Sequence, residues 1–268
     1  MLDFLMISAR STKRGTIEIY PKFIIKKSSD LMIRGGDFYA IWDEELGLWS
    51  TDEQDALQLI DKELTKYLEE NRSKFDSSVK VLYMWDAENN MIDSWHKYCQ
   101  RQMRDSFHIL DEKLIFSNTE TTKKDYASKK LTYPLEECNT PAYDKLISTL
   151  YSEEERKKIE WAIGSIVCGD SKKIQKFIVL YGAPGTGKST ILDVIQQLFE
   201  GYYSVFDARA LGSSSNSFAL EAFKTNPLVA IQHDGDLSRI EDNTRLNSLV
   251  SHEKMTVNEK FKSAYTSQ

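Results

Sequence analysis

Hydrophobic and polar positions along this chain fall into blocks with different periods. Near the N-terminus Thr16, Ile17, Glu18, Ile19 and Tyr20 alternate, followed by Pro21 and then Phe23, Ile24 and Ile25. The alternation predicts one or two short strands on an otherwise polar lead-in, residues 1–34. From Phe38 the stretch FYAIWDEELGLW sets two β-rich pieces around a Glu-Glu-Leu-Gly turn, which predicts a hairpin. Leu57, Ile60, Leu64 and Leu68 recur at helical spacing, behind a capping box of Ser50 with Glu53 or Thr51 with Gln54. Val79 to Trp85 reads as a strand, and Ile92, Trp95, Tyr98, Cys99 and Met103 as one face of a further helix. The aromatic residues of this region, Trp42, Trp49, Trp85 and Trp95 among them, are expected in a core. Residues 117–133 are polar and lysine-rich and predict a linker or exposed loop.

Two helices follow Pro134 and Pro141. One runs from about Ala142 to Tyr151; the other is capped by Ser152 with Glu155, carries Ile159, Ala162, Ile163, Ile166 and Val167, and stops at Gly169. The pattern then changes. Phe177, Ile178, Val179, Leu180 and Tyr181 form an unbroken apolar run, which predicts a strand buried on both faces as in a parallel sheet. Gly182, Ala183, Pro184, Gly185, Thr186, Gly187, Lys188, Ser189 and Thr190 fill the pattern G-x-x-x-x-G-K-[ST], and Ile191, Val194, Ile195 and Leu198 continue it as a helix. Strand, glycine loop and helix stand in the order a nucleoside-triphosphate site requires. Glycines let backbone N–H groups turn inward around a phosphate. Lys188 would reach the β- and γ-phosphates and the Ser189 hydroxyl would hold Mg²⁺, while the helix start adds about half a positive charge.

Tyr203 to Phe206 reads as a short strand and residues 207–217 as a flexible connection, with Asn216 or Ser217 opening a helix that bears Phe218, Leu220 and Phe223. Leu228 to Ile231 reads as a second buried strand ending in Gln232, His233, Asp234, Gly235 and Asp236. An acid at the tip of such a strand organises Mg²⁺ and the attacking water. Asp234 is assigned to that part; Asp236 competes for it, or caps a helix starting near Leu237. Near the end Met255, Thr256 and Val257 are strand-like, and Lys254, Lys260 and Lys262 surround Phe261. That is either a basic hairpin touching a nucleic-acid backbone or an ordinary solvated one.

Composition narrows the classes. A chain of 268 residues with 41% apolar residues has room for about two domains with real cores. Its net charge of −6 argues against an overall basic nucleic-acid coat, so any such contact needs a local patch. The first 34 residues hold one, with seven basic residues against three acidic ones. Three cysteines (Cys99, Cys138 and Cys168) lie far apart, outside any C-x-x-C pair, and four histidines show no ligand spacing. The expectation is reduced thiols in a cytoplasmic protein, with neither membrane span nor signal peptide.

The loop GAPGTGKST, the strand LVAIQHDGD and the segment SLVSHEKMTVNEKFKSAYT together resemble the superfamily 3 helicases, and more closely the phage and plasmid primase-helicases related to the poxvirus primase-helicase. The upstream pieces FYAIWDEELGLW and PAYDKLISTLYSEEERKKIEWAIGSIVCGD are similar to their accessory region. The resemblance covers about residues 35–268 and, after the basic lead-in (1–34), implies an α/β fold of three parts: a small mixed α/β N-terminal domain (35–135), a helical connector (136–172) and an AAA+-like P-loop ATPase core with a parallel sheet (173–268). It implies ATP and Mg²⁺ as cofactors and catalytic parts for Lys188, Asp234 and Asp236, although family members more often carry Glu at the acidic position. It directs Lys254, Lys260 and Lys262 at DNA. Its partners would be single-stranded or forked DNA, further copies in a hexameric ring and a primase or other replication protein, in the bacterial host cytoplasm if the source is a phage. The family continues with a sensor residue and an arginine finger past the position of Gln268, so the core is expected to be incomplete and the isolated chain weakly active. An AAA+ ATPase that remodels protein partners, or a nucleotide- or DNA-binding fragment without turnover, are the alternatives.

Overall fold

The computed structural model describes residues 2–24, 27–34, 38–75, 78–86, 89–101, 108–213, 219–223, 225–233, 243–253, 255–257 and 265–267. The fold is mixed α/β, built from small sheets, and the chain divides into two compact units. The first unit comprises residues 1–110 with 120–129, and the second residues 111–119 with 130–268.

In the first unit, β1 (Leu5–Ser11) and β2 (Ile17–Phe23) form an antiparallel hairpin, Leu5 opposite Phe23 and Ser11 opposite Ile17. Its turn closes through Thr12 N–H to Thr16 O at 2.8 Å. β3 (Leu31–Arg34), β4 (Phe38–Asp43) and β5 (Leu48–Ser50) make an antiparallel meander. The helix α1 (Glu53–Asn71) follows, then β6 (Val79–Val81), which adds to β2 in parallel, and α2 (Met91–Arg101). Residues before 35, read as a lead-in, thus supply three strands and the core side chains Phe4, Leu5, Ile19 and Leu31. Pro21 sits in β2 where β6 no longer pairs, so its missing N–H breaks no ladder bond on that side.

The helical stripe lands as the period predicts, with Leu57, Ile60 and Leu64 buried against Phe4, Ile19, Ile41 and Trp95. The cap differs. Asp52 is the N-cap of α1 and its carboxylate accepts from Gln54 N–H at 2.9 Å, while the Ser50 hydroxyl donates to Asp55 instead. A carboxylate two residues nearer the helix than Ser50 also meets the positive end of the dipole, which a hydroxyl meets less well. The strand expected to Trp85 stops at Val81, and Trp85 is half exposed rather than core. Trp42 and Trp49 face each other across the β4–β5 register with ring centroids 5.7 Å apart.

The lysine-rich stretch 117–133 is largely loop, exposed from Ser117 to Glu120, but it is anchored further on. A 3-10 turn at Lys123–Asp125 lets Trp49 Nε1 donate to Lys123 O at 3.0 Å, and Ala127 and Leu131 are buried. Lys123 pairs with Asp30, a buried carboxylate that also accepts from Asp3 N–H.

In the second unit α3 (Pro141–Leu150) and α4 (Glu153–Cys168) form a helical pair, the latter opened by the Ser152–Glu155 capping box and closed by Gly169 in the left-handed region. A short turn of helix, α5 (Ser171–Ile174), precedes the glycine loop and α6 (Lys188–Leu198). Beyond lie β7 (Tyr203–Val205), α7 (Ala208–Leu211), β8 (Val229–Ile231) and α8 (Thr244–Val250), then the antiparallel pair β9 (Met255–Val257) and β10 (Tyr265–Ser267). β7 and β8 pair in parallel, Tyr203 opposite Val229. Ile191 of α6 is fully buried with Ile147 and Ile159, while Ile195 and Leu198 pack toward Phe199 and Tyr202. Burying one such isoleucine stabilises by about 1.5–3 kcal/mol, which fixes the helix that carries the loop.

Phe177 to Tyr181 is the main correction. The run forms no strand: Phe177, Ile178, Val179 and Tyr181 are more than half exposed and only Leu180 packs inward, against Ile147 and Ile191. A strand exists through ladder bonds to a neighbour. Among the described residues no backbone hydrogen bond involves residues 176–181, and β7 and β8 pair with each other. Met103, the helix start at Asn216 or Ser217, and Phe261 lie outside the described residues.

Candidate functional site

The glycine loop is held by its helix. Gly185 and Gly187 take φ values of 79° and 82°, a conformation that costs an L-residue about 1–2 kcal/mol and glycine almost nothing. Gly187 has a second constraint, because a Cβ there would come within 2.8 Å of a Leu150 methyl. Turning left-handed twice in three residues folds the chain back toward its own start. Lys188 then reaches across the loop, its ammonium donating to Gly182 O at 2.9 Å, Ala183 O at 2.7 Å and Thr186 Oγ1 at 3.3 Å. Thr186 in turn donates to Ala183 O at 2.9 Å.

Gly187 caps α6 without offering a side-chain acceptor, and the first backbone bond into the helix is Ile191 N–H to Gly187 O at 3.1 Å. The amides of Lys188, Ser189 and Thr190 therefore precede the ladder, as the leading N–H groups of any helix do. They sit at the positive end of an 11-residue helix, beside a lysine ammonium and on an exposed loop. Such an arrangement accepts a polyanion, and phosphate oxygens match it in charge and acceptor capacity. The donor set of Gly182 to Thr190 thus fits a nucleoside triphosphate, with the exposed Ser189 hydroxyl on the second residue of the helix for a divalent cation.

The strand tip lies close to the same helix. β8 ends at Ile231, Gln232 Oε1 accepts from Ala208 N–H, and Gln196 Nε2 on α6 donates to His233 Nε2 at 2.7 Å. This ties the residue before Asp234 to the third turn of α6. Gln196 carried no sequence signal, since a lone glutamine on a helix face predicts nothing. Asp234, Asp236, Lys254, Lys260 and Lys262 lie outside the described residues. Among the described residues no three carboxylate, imidazole or thiol groups converge on a metal-sized site, so the cation reading rests on Ser189 there.

A cleft of 330 Å³ adjoins the segment leading to the loop, lined by Gln175, Lys176, Phe177, Asn247, Val250 and Ser251. His252, just beyond α8, is held below the usual imidazole range by burial and by the nearby Lys172 charge.

Among the described residues no helix is long and apolar enough to cross a membrane. No curated protein matches the chain. Residues 180–268, a span that contains the whole glycine loop, are similar to a family of unknown function (DUF5906).

Proposed function

We propose that this chain binds a nucleoside triphosphate with Mg²⁺ at Gly182 to Thr190 and belongs to an ATP-driven motor of DNA replication, similar to the superfamily 3 primase-helicases. The observation that carries the reading is the Lys188 ammonium centred on the loop carbonyls at the start of α6, where bound phosphates would replace those carbonyls as its partners. Bound Mg-ATP supplies an electrophilic γ-phosphorus and a leaving group whose charge the cation offsets. Lys188 and the leading amides of α6 hold the phosphate charge, and Ser189 orients the cation. Asp234 or Asp236 orders the attacking water. Lys254, Lys260 and Lys262 follow the DNA backbone. Further copies in a ring, a single-stranded or forked DNA partner and a P-loop ATPase core belong to the same proposal.

The test is ATP hydrolysis with Mg²⁺, with and without single-stranded DNA, for the chain and for Lys188→Ala. Turnover that rises with DNA and vanishes in the variant supports a DNA motor. Hydrolysis unaffected by Lys188→Ala sinks the assignment, and turnover indifferent to DNA replaces the motor with an ATPase acting on proteins.

A further inference from the structure

The 330 Å³ cleft at the start of the apolar run is lined by residues of the second unit, and none of residues 182–190 takes part. Gln175, Lys176 and Phe177 contribute from one segment, and Asn247, Val250 and Ser251 from the other. Each segment turns at a helix end on a residue in the left-handed region. Gln175, at φ 52°, closes α5 with its N–H donating to Ser171 O at 2.9 Å. His252, at φ 55°, follows α8 with its N–H donating to Leu249 O at 3.1 Å. Helices commonly end this way on glycine, which has no Cβ to strain. Here two larger polar residues hold the strained positions, and such strain gathers at ligand clamps.

The chemistry of the lining is mixed. The Phe177 ring is 52% exposed, and the Gln175 and Asn247 amides each carry donors and an acceptor. Lys176 is exposed, and the lining holds no carboxylate. The imidazole of His252, next to Ser251, is held below its usual range by burial and then by the Lys172 charge, so a second ammonium stands near that segment. Of the acids flanking the two segments, Asp170 is taken by Lys173 at 2.7 Å and Glu253 accepts from the Ser248 hydroxyl at 2.6 Å.

We propose that this cleft binds a purine nucleoside monophosphate, at a site separate from the glycine loop. An exposed aromatic ring stacks on a base, and a side-chain amide matches the N6 and N7 edge of adenine with two hydrogen bonds. An ammonium beside them takes the phosphate as a charge-assisted partner. The volume lies at the low end of the range of about 300–1,000 Å³ for ligand pockets, which suits a single nucleotide. An acidic side chain would answer Lys176 and leave the ring and the amides unused. An apolar ligand would strip water from the amides without replacing their hydrogen bonds.

The experiment is isothermal titration of AMP into the full chain and into its Lys188→Ala form, in which the loop has lost its ammonium. The expected result is a site that both proteins share with equal affinity. Phe177→Leu should weaken it about tenfold and Phe177→Tyr should restore it. Lys176→Gln should weaken AMP about tenfold and leave adenosine unchanged, because only the phosphate meets that ammonium. Gln175→Gly relieves the left-handed position, so it stays folded, and it should narrow the preference for AMP over UMP. Circular dichroism checks each variant, all at exposed positions. A short oligodeoxyadenosine separates the two sources of such a ligand. Tighter binding with the same pattern of variants makes it a unit of a strand, exclusion makes it a free mononucleotide, and both support a nucleotide in the cleft. Failure of the loop as a phosphate site would leave these outcomes unchanged. No binding of AMP, binding lost in Lys188→Ala, inorganic phosphate binding as tightly as AMP, or affinity unmoved by both Phe177→Leu and Lys176→Gln would each overturn the proposal.

Discussion

Gly187→Ala tests the loop geometry at its tightest point. The residue sits at φ 82°, where alanine carries a penalty of about 1–2 kcal/mol. The new Cβ would also meet Leu150 Cδ1 at 2.8 Å and Cδ2 at 2.9 Å. Those atoms are the far end of a rotatable side chain, so relief by an off-rotamer turn costs about 0.5–1.5 kcal/mol. The sum is about 1.5–3.5 kcal/mol against the second unit. Urea unfolding followed by far-UV circular dichroism reads it, and the double variant Leu150→Ala, Gly187→Ala separates the two parts. Removing Leu150 relieves the contact but leaves the backbone strain, so the expected coupling is no more than about 1.5 kcal/mol. Affinity for a fluorescent ATP analogue should fall as well, because the start of α6 places Lys188 over Gly182 and Ala183. A variant within about 0.5 kcal/mol of wild type refutes the left-handed conformation, and full recovery in the double variant refutes strain as the larger part.

Lys123→Met should destabilise the first unit by about 1–3 kcal/mol, because it leaves the Asp30 carboxylate buried without its cation; thermal unfolding of the variant beside Asp30→Asn, Lys123→Met checks this, with partial recovery expected in the pair. Ser152→Ala should cost about 1 kcal/mol by removing the acceptor for Glu155 N–H, seen as faster hydrogen exchange in the first turn of α4. Burial pushes the Cys99 thiol up to about 12, so it stays protonated near pH 8, whereas Cys138 and Cys168 are exposed. A thiol reagent in native buffer should therefore modify two cysteines quickly and the third only on unfolding. Because the folded value lies above the ordinary thiol value, this group's contribution to stability is full below about pH 9 and fades as pH rises toward 12.

What the sequence made legible is local. The Ser152–Glu155 box, the Gly169 stop and the Leu57, Ile60, Leu64 stripe each depend on residues within a turn or two of one another, and each forms as expected. The glycine loop is of the same kind, since its bends and its lysine act within nine residues. β1 carries a local signal too: Leu5, Ile7 and Ala9 alternate with Met6, Ser8 and Arg10 in a period-two pattern, weakened by the apolar Met6 on the outer face. The remaining differences are non-local. Lys123 joins Asp30 across 93 positions, which no window on a lysine-rich stretch detects. Phe177 to Tyr181 has the composition of a buried strand, but composition supplies no pairing edge, and the residues stay unpaired and largely exposed. The Asp52 cap won over Thr51 because neighbouring polar side chains compete for the one Gln54 amide, a contest decided by about a fraction of a kcal/mol.

The central claim is that Gly182 to Thr190 holds the phosphates of a nucleotide. Isothermal titration of the full chain with a slowly hydrolysed Mg-ATP analogue, repeated with Lys188→Ala, addresses it without depending on turnover or on DNA. The account predicts one binding event per chain in the wild type and a loss of about tenfold or more in the variant, the effect of removing one charge-assisted contact of about 1.5–3 kcal/mol. No heat of binding in the wild type, or equal affinity in the variant, would contradict it.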